Sequence, residues 1–183
     1  MQKSYFTILL LIILAFCSCK KYNEDYAVGQ NEKENEQIAK QEQIKQAMTN
    51  ANKVINAKEE ENIRAYIERR HWQMREDGGV FYEIISEGKG KKIVDTNKVT
   101  IKYDCTLLSG EKYNQTKDNQ ISFLVKGDTG VPFGLLSIMK KLKLTSKARV
   151  IVPSSLAFTL DEDGGKISEN NTLIYILEVV NIK

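Results

Sequence analysis

The side chains that most often carry acid–base, thiol or metal chemistry are scarce in this chain of 183 residues. It contains one histidine, His71, and three cysteines, at positions 17, 19 and 105. Because zinc sites need clustered Cys or His ligands and disulfide frameworks need several Cys pairs, neither is predicted. We expect no metal and no cofactor, so any catalysis would have to work without thiol, histidine or metal chemistry.

The first 18 residues are predicted to be an export signal. Lys3 is the only charge before an apolar run of 11 residues, Phe6 to Phe16. A membrane-spanning helix needs about 20 residues, whereas this length suits a signal peptide. A short anchor that stays attached is the alternative.

A lipid attachment site is predicted directly after this run. Cys19, with the small Ser18 before it, resembles the lipobox of bacterial lipoproteins, which implies a diacylated Cys19 at the start of the mature chain. Cys17 is the alternative lipidation site. We therefore expect a protein of the cell envelope that is lipid-anchored to a bacterial membrane and faces outside the cytoplasm.

The mature chain is close to electrical neutrality. Removal of the signal takes away Lys3 and leaves 26 basic against 24 acidic side chains. This balance gives no reason to predict nucleic acid as a partner. Cys105 would be the remaining free thiol, and we expect it to be a small buried apolar residue.

Residues 19–58 are rich in Glu, Lys, Gln and Asn, and they are predicted to form a polar spacer that is partly helical or disordered. A coiled-coil seam is the alternative, but no clean apolar heptad supports it.

Residues 59–79 are predicted to form an amphipathic leader helix that ends at Asp77-Gly78-Gly79, with an apolar face that includes Ile63, Tyr66, Ile67 and Met74. Either this helix docks on the following domain, or it pairs with its copy in a homodimer through residues 59–76.

From Val80 onward the apolar residues alternate as they do in β-strands. One short segment, Phe133 to Lys141, has helical spacing instead. Residues 80–183 are therefore predicted to form one α+β domain with a sheet that buries one face under the short helix. The predicted strands lie at 80–85, 99–107, 121–125, 147–152 and 172–182.

The order of these segments resembles the FKBP-type peptidyl-prolyl cis-trans isomerase domain. The segments Val99-Thr-Ile-Lys-Tyr103 and Leu107-Leu-Ser-Gly-Glu-Lys-Tyr113 are similar to the family's V-x-V-x-Y-x-G-x-L-x-D-G-x-x-F-D. Lys147-Ala-Arg-Val-Ile-Val-Pro153-Ser-Ser-Leu-Ala-Phe158 resembles its K-A-x-L-x-I-P-S-x-L-A-Y-G, and residues 171–183 resemble its closing strand. The resemblance implies a twisted antiparallel sheet of about five strands wrapped on one short helix. With its leader helix, the chain also resembles the FKBP lipoproteins associated with gliding motility.

The chemistry that this resemblance implies breaks no bond. The prolyl amide twists through a state without resonance, over a barrier of ~18–20 kcal/mol. A dry, aromatic-lined pocket favours the less dipolar twisted amide over the planar one, so no acid, base or metal is required. The implied substrates are proline-containing segments of exported or unfolded proteins.

The resemblance also implies which residues form the pocket. The catalytic positions would be Tyr103, Tyr113, Asn114, Phe158 and Tyr175, and the substrate-binding wall would be Ile121, Val131, Leu135 and Ile167.

Four positions depart from the family pattern. Asn114 replaces an Asp, Leu135 replaces a Trp, and Phe158 replaces a Tyr whose hydrogen bond is worth ~0.5–1.5 kcal/mol. Pro132 lies where the family commonly donates a backbone N–H, which proline lacks. We expect an isomerase that assists the folding of exported proteins. A catalytically weak peptide-binding chaperone and a structural envelope lipoprotein are the alternatives.

Overall fold

The structure is a computed structural model that describes residues 2–113, 118–128, 130–157 and 171–183, with side chains from residue 35 onward. Within these ranges, no helix is long and apolar enough to cross a membrane. The chain divides into two compact units, Met1–Val54 and Ile55–Lys183. The elements in chain order are α1 (Gln2–Arg69), β1 (Arg75–Asp77), β2 (Val80–Ser86), β3 (Lys98–Leu107), β4 (Gln120–Leu124), α2 (Phe133–Met139), β5 (Lys147–Val152), a 3₁₀ turn (Ser154–Leu156) and β6 (Leu173–Ile182).

A single antiparallel sheet organises the unit Ile55–Lys183. Its six described strands lie in the order β1-β2-β5-β6-β3-β4, and every neighbouring pair is antiparallel. The α+β prediction, with an antiparallel sheet and one short helix, is confirmed. The five predicted strands correspond to β2 to β6, and β1 is an additional strand.

The leader helix ends earlier than the sequence predicts. Helix α1 stops at Arg69 rather than near Asp77, because His71 adopts a left-handed conformation with φ 55°. The His71 N–H donates to the Glu68 carbonyl at 3.0 Å and the Trp72 N–H to the Ile67 carbonyl at 3.2 Å. This is a Schellman motif, which ends a helix. The predicted extension of the helix through Met74 is therefore wrong.

The two glycines that the sequence predicts as the helix stop instead form a hairpin turn. Gly78 and Gly79 have φ values of 58° and 81°, and they connect the paired residues Asp77 and Val80. A two-residue type I′ turn requires positive φ at both central positions, which glycine adopts at little cost. The segment that the sequence predicts as the end of the helix is therefore strand β1 and the turn that follows it.

The inner face of the sheet packs against α2. Alternate residues of β3, from Val99 to Cys105, are buried on this face, and Leu135, Ile138 and Met139 of α2 are buried against them. A Cβ atom at Gly134 would lie 2.7 Å from Val152 Cγ1, so glycine allows α2 to approach β5 closely. The short helix therefore covers the sheet as predicted. Buried Cys105 also confirms the expectation for that residue.

The last turns of α1 cover part of the outer face. Ile63 and Tyr66 are buried in a second cluster with Phe81, Ile151 and Ile174. Of the two predicted uses of the leader helix, docking on the following domain is thus the one that the structure contains. Since these apolar side chains contact the sheet, the homodimer predicted through residues 59–76 would have to use the charged side of the helix.

Candidate active site

Two tyrosines form the centre of the candidate pocket. Tyr103 projects from β3 and Tyr175 from the neighbouring strand β6, and both are buried on the inner face of the sheet. Their ring centroids lie 5.7 Å apart at an interplanar angle of 51°. Because alternation places both on the face toward α2, two separate sequence motifs contribute to one aromatic surface.

The beginning of α2 supplies a second wall. Val131 and Leu135 are buried in the same cluster as the two tyrosines. Between them, the Pro132 carbonyl accepts hydrogen bonds from the N–H groups of Leu135 and Leu136 at 2.9 and 3.1 Å. Pro132 directly precedes the helix, where a missing N–H costs no intrahelical bond.

Tyr113 and Ile121 are partly buried and pack against the same cluster. The Tyr113 N–H donates to the Cys105 carbonyl at 2.8 Å, which connects the segment after β3 back to that strand. Ile121 lies on β4 opposite Ile101. Phe123, two residues further on the same face, is also buried there and was missed by the sequence analysis. The alternation of Ile121 and Phe123 along the strand could have identified it.

Six of the nine predicted pocket residues are thus described, and all six belong to one hydrophobic cluster. Asn114, Phe158 and Ile167 lie outside the described residues. Cys19 lies in the part of α1 whose side chains are not described.

Two buried polar groups at this site, the Cys105 thiol and the Tyr175 hydroxyl, carry no charge near neutral pH. Burial raises the pKa of the Cys105 thiol to about 12. Burial, and to a lesser degree the neighbouring Cys105, raises the pKa of the Tyr175 hydroxyl well above its usual value. The Tyr175 hydroxyl lies beside the Cys105 thiol, which is a weak hydrogen-bonding group. An apolar, neutral surface of this kind suits a reaction that needs desolvation rather than proton transfer.

Three comparisons relate this chain to known proteins. The sequence profile of the family described as FKBP-type peptidyl-prolyl cis-trans isomerase matches residues 89–180. The isomerase FkpA of Escherichia coli is 28% identical over 107 residues, which cover 57% of this chain and 38% of FkpA. The outer membrane protein MIP of Legionella longbeachae is 29% identical over 105 residues, 57% of this chain and 45% of MIP. The chain therefore spans less than half of the length of these two relatives.

A shorter relative is matched over most of its length. FK506-binding protein 1 of Debaryomyces hansenii is 31% identical over 110 residues, which cover 55% of this chain and 91% of that protein.

The solved structures agree on the fold. The crystal structure of FkpA from Escherichia coli superposes with a TM-score of 0.55 at 24% identity, over 70% of this chain and 62% of that one. A peptidyl-prolyl cis-trans isomerase from Pseudomonas syringae superposes with a TM-score of 0.59 at 18% identity, over 72% and 95%. With the family profile matched over residues 89–180, the chain belongs to the FKBP-type peptidyl-prolyl cis-trans isomerase family.

Proposed function

We propose that this protein is a peptidyl-prolyl cis-trans isomerase that acts on proline-containing segments of unfolded or exported proteins. The observation that carries the proposal is the buried apolar cluster in which the rings of Tyr103 and Tyr175 lie beside Leu135. A planar amide is more dipolar than a twisted one, so it loses more stabilisation when it leaves water. A pocket lined by this cluster would therefore lower the barrier by favouring the twisted state.

The pocket positions have separate roles in this proposal. Tyr103, Tyr113 and Tyr175, together with Asn114 and Phe158, would surround the twisting amide. The prolyl ring would be held by apolar contacts to Ile121, Val131, Leu135 and Ile167. A leucine floor is smaller than the tryptophan that the family usually has, so it provides less apolar contact for the ring.

We infer further that the protein works at the cell envelope. A signal peptide at residues 1–18 and a lipidated Cys19 would anchor it to a membrane, with residues 19–58 as a spacer. The name of the relative MIP, an outer membrane protein, supports this placement. The narrower similarity to gliding-motility lipoproteins stays a prediction. Mass spectrometry of the membrane-extracted protein would test the anchor, and an unmodified Cys19 and Cys17 would contradict it.

The activity is tested with the full chain in a protease-coupled isomerisation assay on a proline-containing peptide. We expect a rate above background for the natural sequence. Tyr113→Ala should lower kcat/KM about tenfold, which corresponds to the loss of ~1.4 kcal/mol of transition-state contact. Ile176→Ala is the matched control, because Ile176 lies on β6 next to Tyr175 but is half-exposed on the opposite face.

Two outcomes would contradict the proposal. If the natural sequence shows only the background rate while it still binds an unfolded protein, the peptide-binding chaperone is the better assignment. If Tyr113→Ala and Ile176→Ala reduce the rate equally, the activity does not come from the inner face of the sheet.

A further inference from the structure

The carboxylate of Glu59, on α1, bonds to two residues that are distant in sequence. Its Oε1 accepts hydrogen bonds from the Ser154 N–H at 2.7 Å and from the Thr172 hydroxyl at 2.6 Å. Its Oε2 accepts one from the Ser154 hydroxyl at 2.8 Å. Hydrogen bonds to an ionised acceptor are about twice as strong as neutral ones. The Glu59 carboxylate therefore fixes the positions of Ser154 and Thr172 relative to each other.

The neighbouring acidic residues on α1 behave differently. Glu60 forms an ion pair with Arg64, and Glu61 forms one with Lys58, both within the helix and both exposed. Such exposed pairs contribute little to stability. Glu59 is partly buried instead, and its partners lie 95 and 113 residues away.

The bonds of Glu59 lie where two central strands stop pairing. Val152 of β5 and Leu173 of β6 are the last cross-strand partners at this end of the sheet. Ser154 follows the first of these by two residues, and buried Thr172 directly precedes the second. Glu59 thus connects the two strands beyond the end of their backbone hydrogen bonds. Ser154 is also the first residue of the 3₁₀ turn, so its backbone N–H needs a hydrogen-bond acceptor outside the turn.

Both anchored residues lead directly to the candidate pocket. Thr172 lies three residues before Tyr175 on the same chain segment. Leu156, at the end of the turn that Ser154 begins, contacts α2 closely: its Cβ would lie 3.2 Å from a Cβ placed at Gly134. Gly134 is adjacent to Leu135. A shift of Thr172 would therefore displace Tyr175 on β6, and a shift of Ser154 would displace Leu135 on α2.

We propose that Glu59 is a positioning residue for the prolyl pocket, which couples helix α1 to the placement of Tyr175 and Leu135. This inference rests on the proposed isomerase function. It implies that a partner or a load that displaces this part of α1 changes the isomerase rate without touching the pocket. The leader helix would then be part of the active domain.

The test compares variants of the full chain by isomerase kinetics. Glu59→Ala should lower kcat/KM about tenfold, since small displacements of positioned groups have large effects on rate. Glu59→Gln should stay within about twofold, because its carbonyl still accepts two bonds and its amide can donate to the Ser154 hydroxyl. Glu61→Ala, on the same helix, should leave the rate unchanged. Equal kinetics for Glu59→Ala and Glu61→Ala would overturn the proposal.

A second measurement separates positioning from a general loss of stability. Ile63→Val weakens the packing of α1 without changing Glu59. If it lowers the rate as much as Glu59→Ala at the same loss in Tm, Glu59 has no positioning role. A non-additive effect of Glu59→Ala and Thr172→Val on kcat/KM would support the direct coupling.

Hydrogen exchange gives a readout that does not depend on activity. The Ser154 amide should be protected in the natural sequence and in Glu59→Gln, and it should exchange faster in Glu59→Ala. If the amide behaves in this way but the natural sequence is inactive, the proposed function fails and the positioning role fails with it. If the natural sequence is active and Glu59→Ala is equally active, only the positioning role fails.

Discussion

The contribution of α1 to the folded domain can be tested at Ile63. Its side chain is fully buried between the helix and the outer face of the sheet, with an exposed fraction of 0%. Ile63→Ala removes this apolar contact and leaves a cavity beside Phe81 and Ile151. Substitutions of this kind cost ~2–5 kcal/mol, and we expect about 3 kcal/mol here because the site is closed on both sides. A single domain is stable by only about 5–15 kcal/mol.

Trp72 provides the assay. It is the one tryptophan of the chain, and its ring lies 5.6 Å from that of Tyr66, near the end of the docked helix. Urea denaturation followed by Trp72 fluorescence should give a free energy of unfolding lowered by about 3 kcal/mol, with Tm lowered by ~10 °C. Val54→Ala is the control, because Val54 lies on the same helix but is 70% exposed. It should change the stability by less than about 0.5 kcal/mol.

The result that would refute this reasoning is an Ile63→Ala variant as stable as Val54→Ala. The end of α1 would then not belong to the folded unit, and the domain would begin at β1, Arg75–Asp77. A loss of about 3 kcal/mol supports a unit that begins at Ile55.

Three further predictions concern buried polar groups. The folded-state pKa of Cys105 is about 12 against an ordinary 9.0, so above pH 9 the unfolded state releases a proton that the folded state keeps. The stability that this buried thiol contributes is complete below pH 9 and falls by ~1.4 kcal/mol per pH unit above it. In urea titrations between pH 9 and 10, Cys105→Ala should remove this part of the pH dependence. An unchanged pH dependence would contradict the raised pKa of Cys105. Tyr175→Phe deletes a buried hydroxyl whose neighbour is the weakly hydrogen-bonding Cys105 thiol. Unfolding experiments should therefore show a change in stability below ~1 kcal/mol, and a larger loss would contradict this. The Arg149 guanidinium lies 3.9 Å from the centre of the Trp72 ring, and it forms an ion pair with Glu83 in which both side chains are partly buried. Arg149→Met should lower the free energy of unfolding by ~1–2 kcal/mol and change the fluorescence emission of Trp72. An unchanged emission spectrum would exclude the stacking of Arg149 on Trp72.

The sequence predicted the strands well because each of them buries one face. In β3, polar residues such as Lys102 and Asp104 alternate with buried apolar ones, and this pattern has no other common explanation. The boundaries of β2 to β6 therefore agree within one or two residues. The six described residues that were predicted for the pocket lie in one cluster. They were chosen through motif similarity, which compares positions along the chain and needs no knowledge of contacts.

The end of the leader helix could not be predicted because the local signals were ambiguous. Asp77-Gly78-Gly79 is a helix stop after an apolar helical pattern, and it is equally a hairpin turn before an apolar strand. The helix instead ends where His71 adopts φ 55°, a conformation that histidine takes less readily than glycine. The pairing of β1 with β2 decides between the two readings, and this pairing exists only in the folded chain.

The role of Glu59 was beyond sequence reasoning for a related reason. Glu59 to Glu61 are three consecutive residues of the same type, so the sequence does not distinguish them. They differ only in what surrounds them: Glu60 and Glu61 face neighbours on the helix, while Glu59 meets Ser154 and Thr172. Contacts between residues this far apart leave no periodic pattern in one sequence.

Strand β1 has a consequence for how the protein can coexist with unfolded chains. Without it, the apolar strand β2 would be an open edge whose backbone groups could pair with any extended polypeptide. Strand β1 occupies that edge through its pairing with β2. Its three residues are exposed and charged, and two of them form ion pairs, Glu76 with Arg64 and Asp77 with Lys141. A strand this short and charged is a poor template for further strand addition. In a protein that we propose binds unfolded clients, β1 would keep those clients from adding to the sheet at the edge beside β2.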